Sequence, residues 1–201
     1  MPPESDAPSL TPAVSKRDHL RGRVAAPMTL VQFGDYVCPH CTEAHPIVRQ
    51  LMDATEGKLR FVYRHYPTVS DLSRRAAKAT EAAAQEGGFW KMHDLLSAMS
   101  GDLGEPDLYG SAEAAGLDAG ALRSRLDQGA HAERIEEDLD SARRSGVEGT
   151  PTFFVNGQRY DATLSADDVL DELELTTQRQ SVIARAYMQR LEGILGRAGL
   201  L

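Results

Sequence analysis

An α/β architecture whose sheet is interrupted by a helical block follows from three features of this 201-residue chain. An apolar, β-branched run at residues 28–33 passes at once into a helical pattern, and a second strand-like run occupies residues 59–66. Strand character then disappears over residues 67–147 and returns at 152–155. The chain therefore opens a sheet, leaves it for a set of helices, and comes back to close it.

Each element has its own justification. Residues 1–15 are Pro- and Ser-rich without apolar periodicity, and together with the stretch up to residue 23 they read as a flexible arm. Residues 28–33, Met-Thr-Leu-Val-Gln-Phe, lie between Pro27 and Gly34 and suit a buried strand. Pro39 fits the first turn of a helix, where its missing N–H goes unused, and Ile47, Val48, Leu51 and Met52 continue that helix at the right spacing. Pro46 is expected to kink or restart it. Pro67 stops the second strand, after which residues 74–85, 89–96, 119–127 and 131–144 read as helices separated by glycine. Asn156-Gly157 is a strong hairpin signal between strands at 152–155 and 158–160. Ser165, Asp167 and Asp168 begin a last helical region, broken across 176–181 and resumed by the stripe Ile183, Tyr187, Leu191, Ile194 and Leu195.

Charge and composition exclude several functions. With 22 Lys+Arg against 30 Asp+Glu, a net charge of −8 and no basic block, the chain lacks a phosphate-tracking surface, so nucleic acid is not an expected partner. Its apolar runs fall short of the roughly 18 residues of a membrane span, so no membrane insertion is expected. The first ten residues carry two acids and three prolines where a signal peptide would be basic and then apolar. A cytoplasmic setting is expected, or a periplasmic or extracellular one if a leader has been removed. A core of this size holds without a disulfide or zinc staple, which frees the two cysteines for function.

Those cysteines, Cys38 and Cys41, stand three apart, a spacing that random placement gives in about one case in a hundred. They bracket the start of a helix directly after a buried strand, where they can close a small disulfide ring or open to a dithiol. In the open form Cys38 meets unpaired backbone N–H groups and the positive end of the helix dipole, both of which favour the nucleophilic thiolate. A protonated His40 adds to this. Two other readings remain. Cys38, Cys41 and His45 would make a zinc half-site needing a fourth ligand from elsewhere, and an inert buried pair has no reason to sit at a strand-to-helix corner. His45 and His65 could face the cysteines, His65 reads as packing at a strand end, and Trp90 with His93 reads as core packing on one helix face. The acidic run at 133–140 is a solvated helix face.

The stretch from Met28 through Phe33, Asp35 and Tyr36 to Cys38-Pro39-His40-Cys41 resembles the active-site segment of DsbA-like thiol-disulfide oxidoreductases of the thioredoxin superfamily. Residues 149–157, Gly-Thr-Pro-Thr-Phe-Phe-Val-Asn-Gly, are similar to that family's second signature, and residues 61–67 and 89–96 to its second strand and a helix of its inserted domain. The resemblance covers about residues 24–175. It implies a thioredoxin-like fold with a core at 24–66 and 148–175, an inserted helical domain at 67–147 and a helical extension at 176–201. It also implies that Cys38 is the exposed attacking thiol and Cys41 the buried resolving one, with Pro39 and His40 tuning both. Pro151 would be cis and opposite the pair, and the Thr150 backbone would hold an extended substrate. Many family members place a buried acid six positions before the first cysteine to relay protons. Here that position is Gln32, which cannot take a proton. Asp35 could substitute, and its plain reading is a turn residue bonding its own backbone.

The expected function is thiol-disulfide exchange with protein or peptide substrates and a redox partner, with no cofactor and no metal. The alternative is a non-catalytic peptide- or metal-binding module of the same fold. A monomer is expected, with a dimer through the C-terminal helix as the other possibility.

Overall fold

The alternation of strand β2 (Met28–Gly34) organises the molecule: Met28 and Leu30 face one side of the sheet, Val31 and Phe33 the other, and all are fully buried. The computed structural model describes residues 8–99, 103–160 and 171. In it, β2 pairs in parallel with β3 (Leu59–His65), from Met28 opposite Leu59 to Gly34 opposite His65. A parallel pair needs a crossover, and α1 (Pro39–Ala54) supplies it. The sheet has order β1-β3-β2-β4-β5, with β1 (His19–Arg21), β4 (Thr152–Val155) and β5 (Gln158–Tyr160) all antiparallel to their neighbours. Asn156 and Gly157 turn β4 into β5 with φ of 50° and 84°, as the Asn-Gly signal requires.

Five helices lie between β3 and β4: α2 (Asp71–Gln85), α3 (Phe89–Ser97), α4 (Glu105–Ala115), α5 (Ala119–Asp127) and α6 (Ala132–Arg144). Ser70 starts α2 by exchanging hydrogen bonds with Ser73, and Asp118 starts α5 by accepting from the Ala121 N–H. Helix α4 has no specific counterpart in the sequence reading, because Gly110 interrupts its pattern. Helix α1 runs through Pro46 without restarting, held to the sheet by buried Ala44, Val48 and Leu51 on either side of it.

The two faces of the sheet carry separate cores. Met28, Leu30, Phe61, Tyr63, Phe153 and Val155 pack against α1 and the helical block. On the other face Val31, Phe33, Val62 and Phe154 pack with Ala142 and Val147 and with Leu10 from the N-terminal segment. The expected flexible arm over 1–23 is therefore corrected for residues 8–23, which are built into the fold. Ser9 bridges to Gln158, and the Thr11 N–H donates to Ser145 Oγ at 2.8 Å. Fully buried Arg64 on β3 donates to both oxygens of Asp18 (2.7 and 3.1 Å), to the Pro12 carbonyl (2.9 Å) and to Ser141 on α6 (2.7 Å). A second tie is buried Glu81 on α2, whose carboxylate lies 3.0 Å from the Nε2 atoms of both His19 and His65. The Ser165 start and the stripe from Ile183 to Leu195, with the dimer contact it would offer, lie outside the described residues.

Burial opposes ionisation of Asp18, yet hydrogen bonds from Arg64 and the Ser15 N–H, with the charges of Arg64 and Arg17, hold its pKa below the usual carboxylate value. The stabilisation is therefore complete above the unfolded pKa, near 3.9, and fades as pH falls through the folded one. Asp18→Ala strands a buried guanidinium and should lower stability by roughly 3–5 kcal/mol near neutral pH, a loss that shrinks at acid pH. Urea unfolding of both proteins as a function of pH reads this directly.

Candidate active site

Strand β2 ends at Gly34, and the next four residues turn the chain into α1. Asp35 holds that corner: its buried carboxylate accepts the Val37 N–H at 2.9 Å and, from the β3–α2 loop, the N–H groups of Thr68 and Val69 at 3.0 Å each. This is the turn-residue reading extended by a long-range tie, and it leaves both carboxylate oxygens in use. Cys38 then caps α1 in extended backbone geometry with no side-chain cap, and Pro39 follows at the first helical position. Cys38 thus stands at the helix N-terminus, with its sulfur taking no capping hydrogen bond from the first turn.

Both cysteines are free thiols and each is only 6% exposed, so Cys38 is more covered than the resemblance implied. What covers it is the segment before β4, since Cys38 Sγ donates to the Thr150 carbonyl at 3.3 Å. The Thr150–Pro151 peptide bond is cis. Cys41 lies on the inner side of α1, its sulfur accepting the Asp35 N–H at 3.4 Å. Burial, only partly offset by that hydrogen bond, pushes the Cys41 thiol up to about 12. The two sulfurs therefore differ in partners, though not in exposure. The His40 ring is exposed, and its described partner is Glu43, 3.4 Å away.

Beside Cys41 is a small cavity of about 10 Å³, to which Gln32, Tyr36, Tyr63, His45 and His93 contribute. Gln32 reaches it because the β-register sets it opposite Tyr63 on β3 and Phe153 on β4. Tyr36 and Tyr63 stack 5.3 Å apart, and the Tyr36 hydroxyl lies 3.1 Å from His93 Nδ1. Sequence reasoning assigned His93 to packing and did not single out Tyr36 or Tyr63. The four-residue step from Cys41 to His45 was a legible signal, whereas the tyrosines depend on strand register. His65 turns to Glu81, and Trp90 donates from Nε1 to the Leu20 carbonyl at 3.2 Å.

His45, His93 and Asp94 bring ligand atoms within 4.8 Å of one another. The Asp94 carboxylate is already paired with Arg21 at 2.8 Å and Arg49 at 3.1 Å, so two resident cations oppose a metal ion there.

A sheet of this topology, a Cys-x-x-Cys helix start and a proline segment against it together define a thioredoxin-type domain. The Thioredoxin family (Thioredoxin_4) matches residues 14–174, and the chain belongs to that family. Within it the fold is DsbA-like. BdbD from Bacillus subtilis, in its oxidised crystal structure, is 26% identical with a TM-score of 0.77, covering 86% of this chain and 99% of that one. A thioredoxin-like oxidoreductase from Silicibacter pomeroyi DSS-3 is 29% identical with a TM-score of 0.73, covering 82% and 94%. Among curated proteins, Na(+)/H(+) antiporter NhaA 1 of Salinispora arenicola is 45% identical over 161 residues, and NhaA 3 of Salinispora tropica 46% over 154. Those alignments take in 79% and 75% of this chain but 24% and 23% of the relatives, so the chain spans about a quarter of their length. Among the described residues, no helix is long and apolar enough to cross a membrane. These relatives lend no support to the cytoplasmic setting expected from the N-terminus.

Gly34 is what lets the Tyr63 ring fit under the cysteine corner. A Cβ at position 34 would sit 2.6 Å from Tyr63 Cε2 and 2.7 Å from its hydroxyl, so the buried Tyr63 ring would have to shift. Gly34→Ala should cost about 1–3 kcal/mol. Gly110→Ala, with nothing within 4 Å, should be neutral or stabilising by up to about 1 kcal/mol in urea unfolding.

Proposed function

We propose that this domain is a dithiol-disulfide oxidoreductase that exchanges disulfides with protein or peptide substrates through Cys38-Pro39-His40-Cys41. The observation that carries the reading is the asymmetry of the pair. Cys38 sits at the uncapped helix start against the Thr150 carbonyl, and Cys41 is a high-pKa thiol turned inward. A thiolate is the nucleophile in disulfide exchange, and a helix N-terminus is a place that favours one. Cys38 attacks a substrate disulfide, displacing one substrate sulfur and forming a mixed disulfide. Cys41 attacks Cys38, forming the internal disulfide and releasing the second substrate sulfur. The two electrons come from the cysteine pair, so the cycle needs no organic cofactor or metal, only a redox partner to reset it.

Thr150 and Pro151 would form the docking edge. The Thr150 carbonyl that accepts from Cys38 belongs to a backbone segment able to bond an extended peptide beside the sulfur. Pro39 removes one N–H from the first turn, and His40 adds positive charge there when protonated, with Glu43 moderating it. Thiol exchange is assigned to this domain alone. Ion transport by the antiporter-named relatives is not assigned to it.

The test is covalent trapping. Cys41→Ser should accumulate mixed disulfides through Cys38, and Cys38→Ser should abolish insulin-disulfide reduction. At pH 8 only about one Cys41 thiol in 10⁴ is ionised, given a pKa of about 12, so Cys38→Ser should resist iodoacetamide while Cys41→Ser reacts readily. Trapping through Cys41 would reverse the roles, and no trapping through either would leave the non-catalytic binding module.

A further inference from the structure

The resolving step poses a proton problem. Cys41 must lose its proton to attack Cys38, and its thiol, with a pKa of about 12, does so rarely at neutral pH. Gln32 lines the cavity beside Cys41 but cannot accept a proton. Asp35 has both carboxylate oxygens committed to backbone N–H groups. Buried Tyr36 and Tyr63 have pKa values raised by burial and are not bases.

His45 remains. It lies one helical turn from Cys41 on α1, an i, i+4 pair sharing a face, and both line the cavity of about 10 Å³, at the lower limit for one water molecule. Its side chain is 14% exposed, so it touches both this cavity and solvent, whereas His93 is fully buried and bonds Tyr36 through Nδ1. The groups around it are Cys41 and Arg49 from its own helix, His93 and Asp94 from α3, Arg21 from β1, Asp35 and Tyr36 from the corner, and Tyr63 from β3. Asp94 Oδ1 stands 3.9 Å from His45 Nε2.

We propose that His45 is the proton carrier of Cys41, taking its proton across the shared cavity in the resolving step and returning it when the disulfide is reduced. This rests on the oxidoreductase reading of the cysteine pair. Neutral His45 accepts the Cys41 proton as the Cys41 sulfur attacks Cys38 Sγ; the Cys38–substrate S–S bond breaks as the Cys38–Cys41 bond forms, and the departing substrate sulfur takes the electron pair. The imidazolium gives its proton to solvent or to that sulfur. Burial, joined by Arg49 and Arg21 and opposed by Asp94, keeps His45 below the ordinary imidazole pKa, so it is neutral and ready at pH 7.

The experiment mixes the reduced protein with 5,5′-dithiobis(2-nitrobenzoic acid) in a stopped flow. Cys38 releases the first nitrothiobenzoate and Cys41 the second. The wild-type second phase should be flat between about pH 7 and 9 and fall only once the pH drops below the ordinary imidazole pKa, as His45 protonates. In His45→Gln the first phase should keep its rate. The second should drop about 10²-fold at pH 7 and rise about tenfold per pH unit, following the thiolate fraction. Adding Gln32→Glu, a carboxylate on the same cavity, should restore a flatter profile. A wild-type second phase that itself rises tenfold per unit overturns the proposal without any variant, as does a His45→Gln profile parallel to wild type. Absence of a first phase in the wild type would overturn the oxidoreductase reading instead.

Discussion

The parallel pairing of β2 with β3 leaves the centre of the sheet with two apolar faces and no edge, and both faces must be covered. Helix α1 and the block α2–α5 cover one; α6 and the N-terminal segment cover the other. Because Arg64 lies on that second face with no exposure, covering it also means satisfying a guanidinium. Asp18, the Pro12 carbonyl and Ser141 do so, which is why a Pro/Ser-rich segment is fixed in place.

The same pairing positions the chemistry. Running β2 alongside β3 brings Gly34 over Tyr63 and Gln32 beside it, so the floor of the cysteine corner is set before α1 begins. Asp35 then fixes the corner to the β3–α2 loop. Two cysteines of equal exposure acquire different surroundings from this placement: one lies at the end of a helix against the Thr150 carbonyl, the other inside its first turn, where burial opposes a thiolate. Fixed geometry, rather than the dithiol motif alone, makes the two unlike.

In the curated relatives, the matching segment is about a quarter of proteins named as Na(+)/H(+) antiporters. In the solved structures of BdbD and the Silicibacter pomeroyi oxidoreductase, it is nearly the whole chain. In this chain the segment packs both faces of its sheet with its own helices and N-terminal segment.

The sequence by itself determined what depends on near neighbours: strands β2, β3 and β4, the Asn156-Gly157 turn, the start of α1 at Pro39 and the cysteine pair. Each is written in a few consecutive residues whose periodicity or backbone preference has one outcome. Tertiary structure decided what depends on partners far along the chain. Edge strand β1 is three residues with no pattern of their own, and residues 8–23 are ordered by Arg64, Ser141 and Ser145. Helix α4 forms despite Gly110 because Leu108, Tyr109 and Ala112 are buried against its neighbours. Gln32, Tyr63 and His93 meet around Cys41 only through β-register and helix packing. The place of Cys38 was legible because a helix N-terminus is a local object; the surroundings of Cys41 were not, because they are assembled from two strands, two helices and a loop.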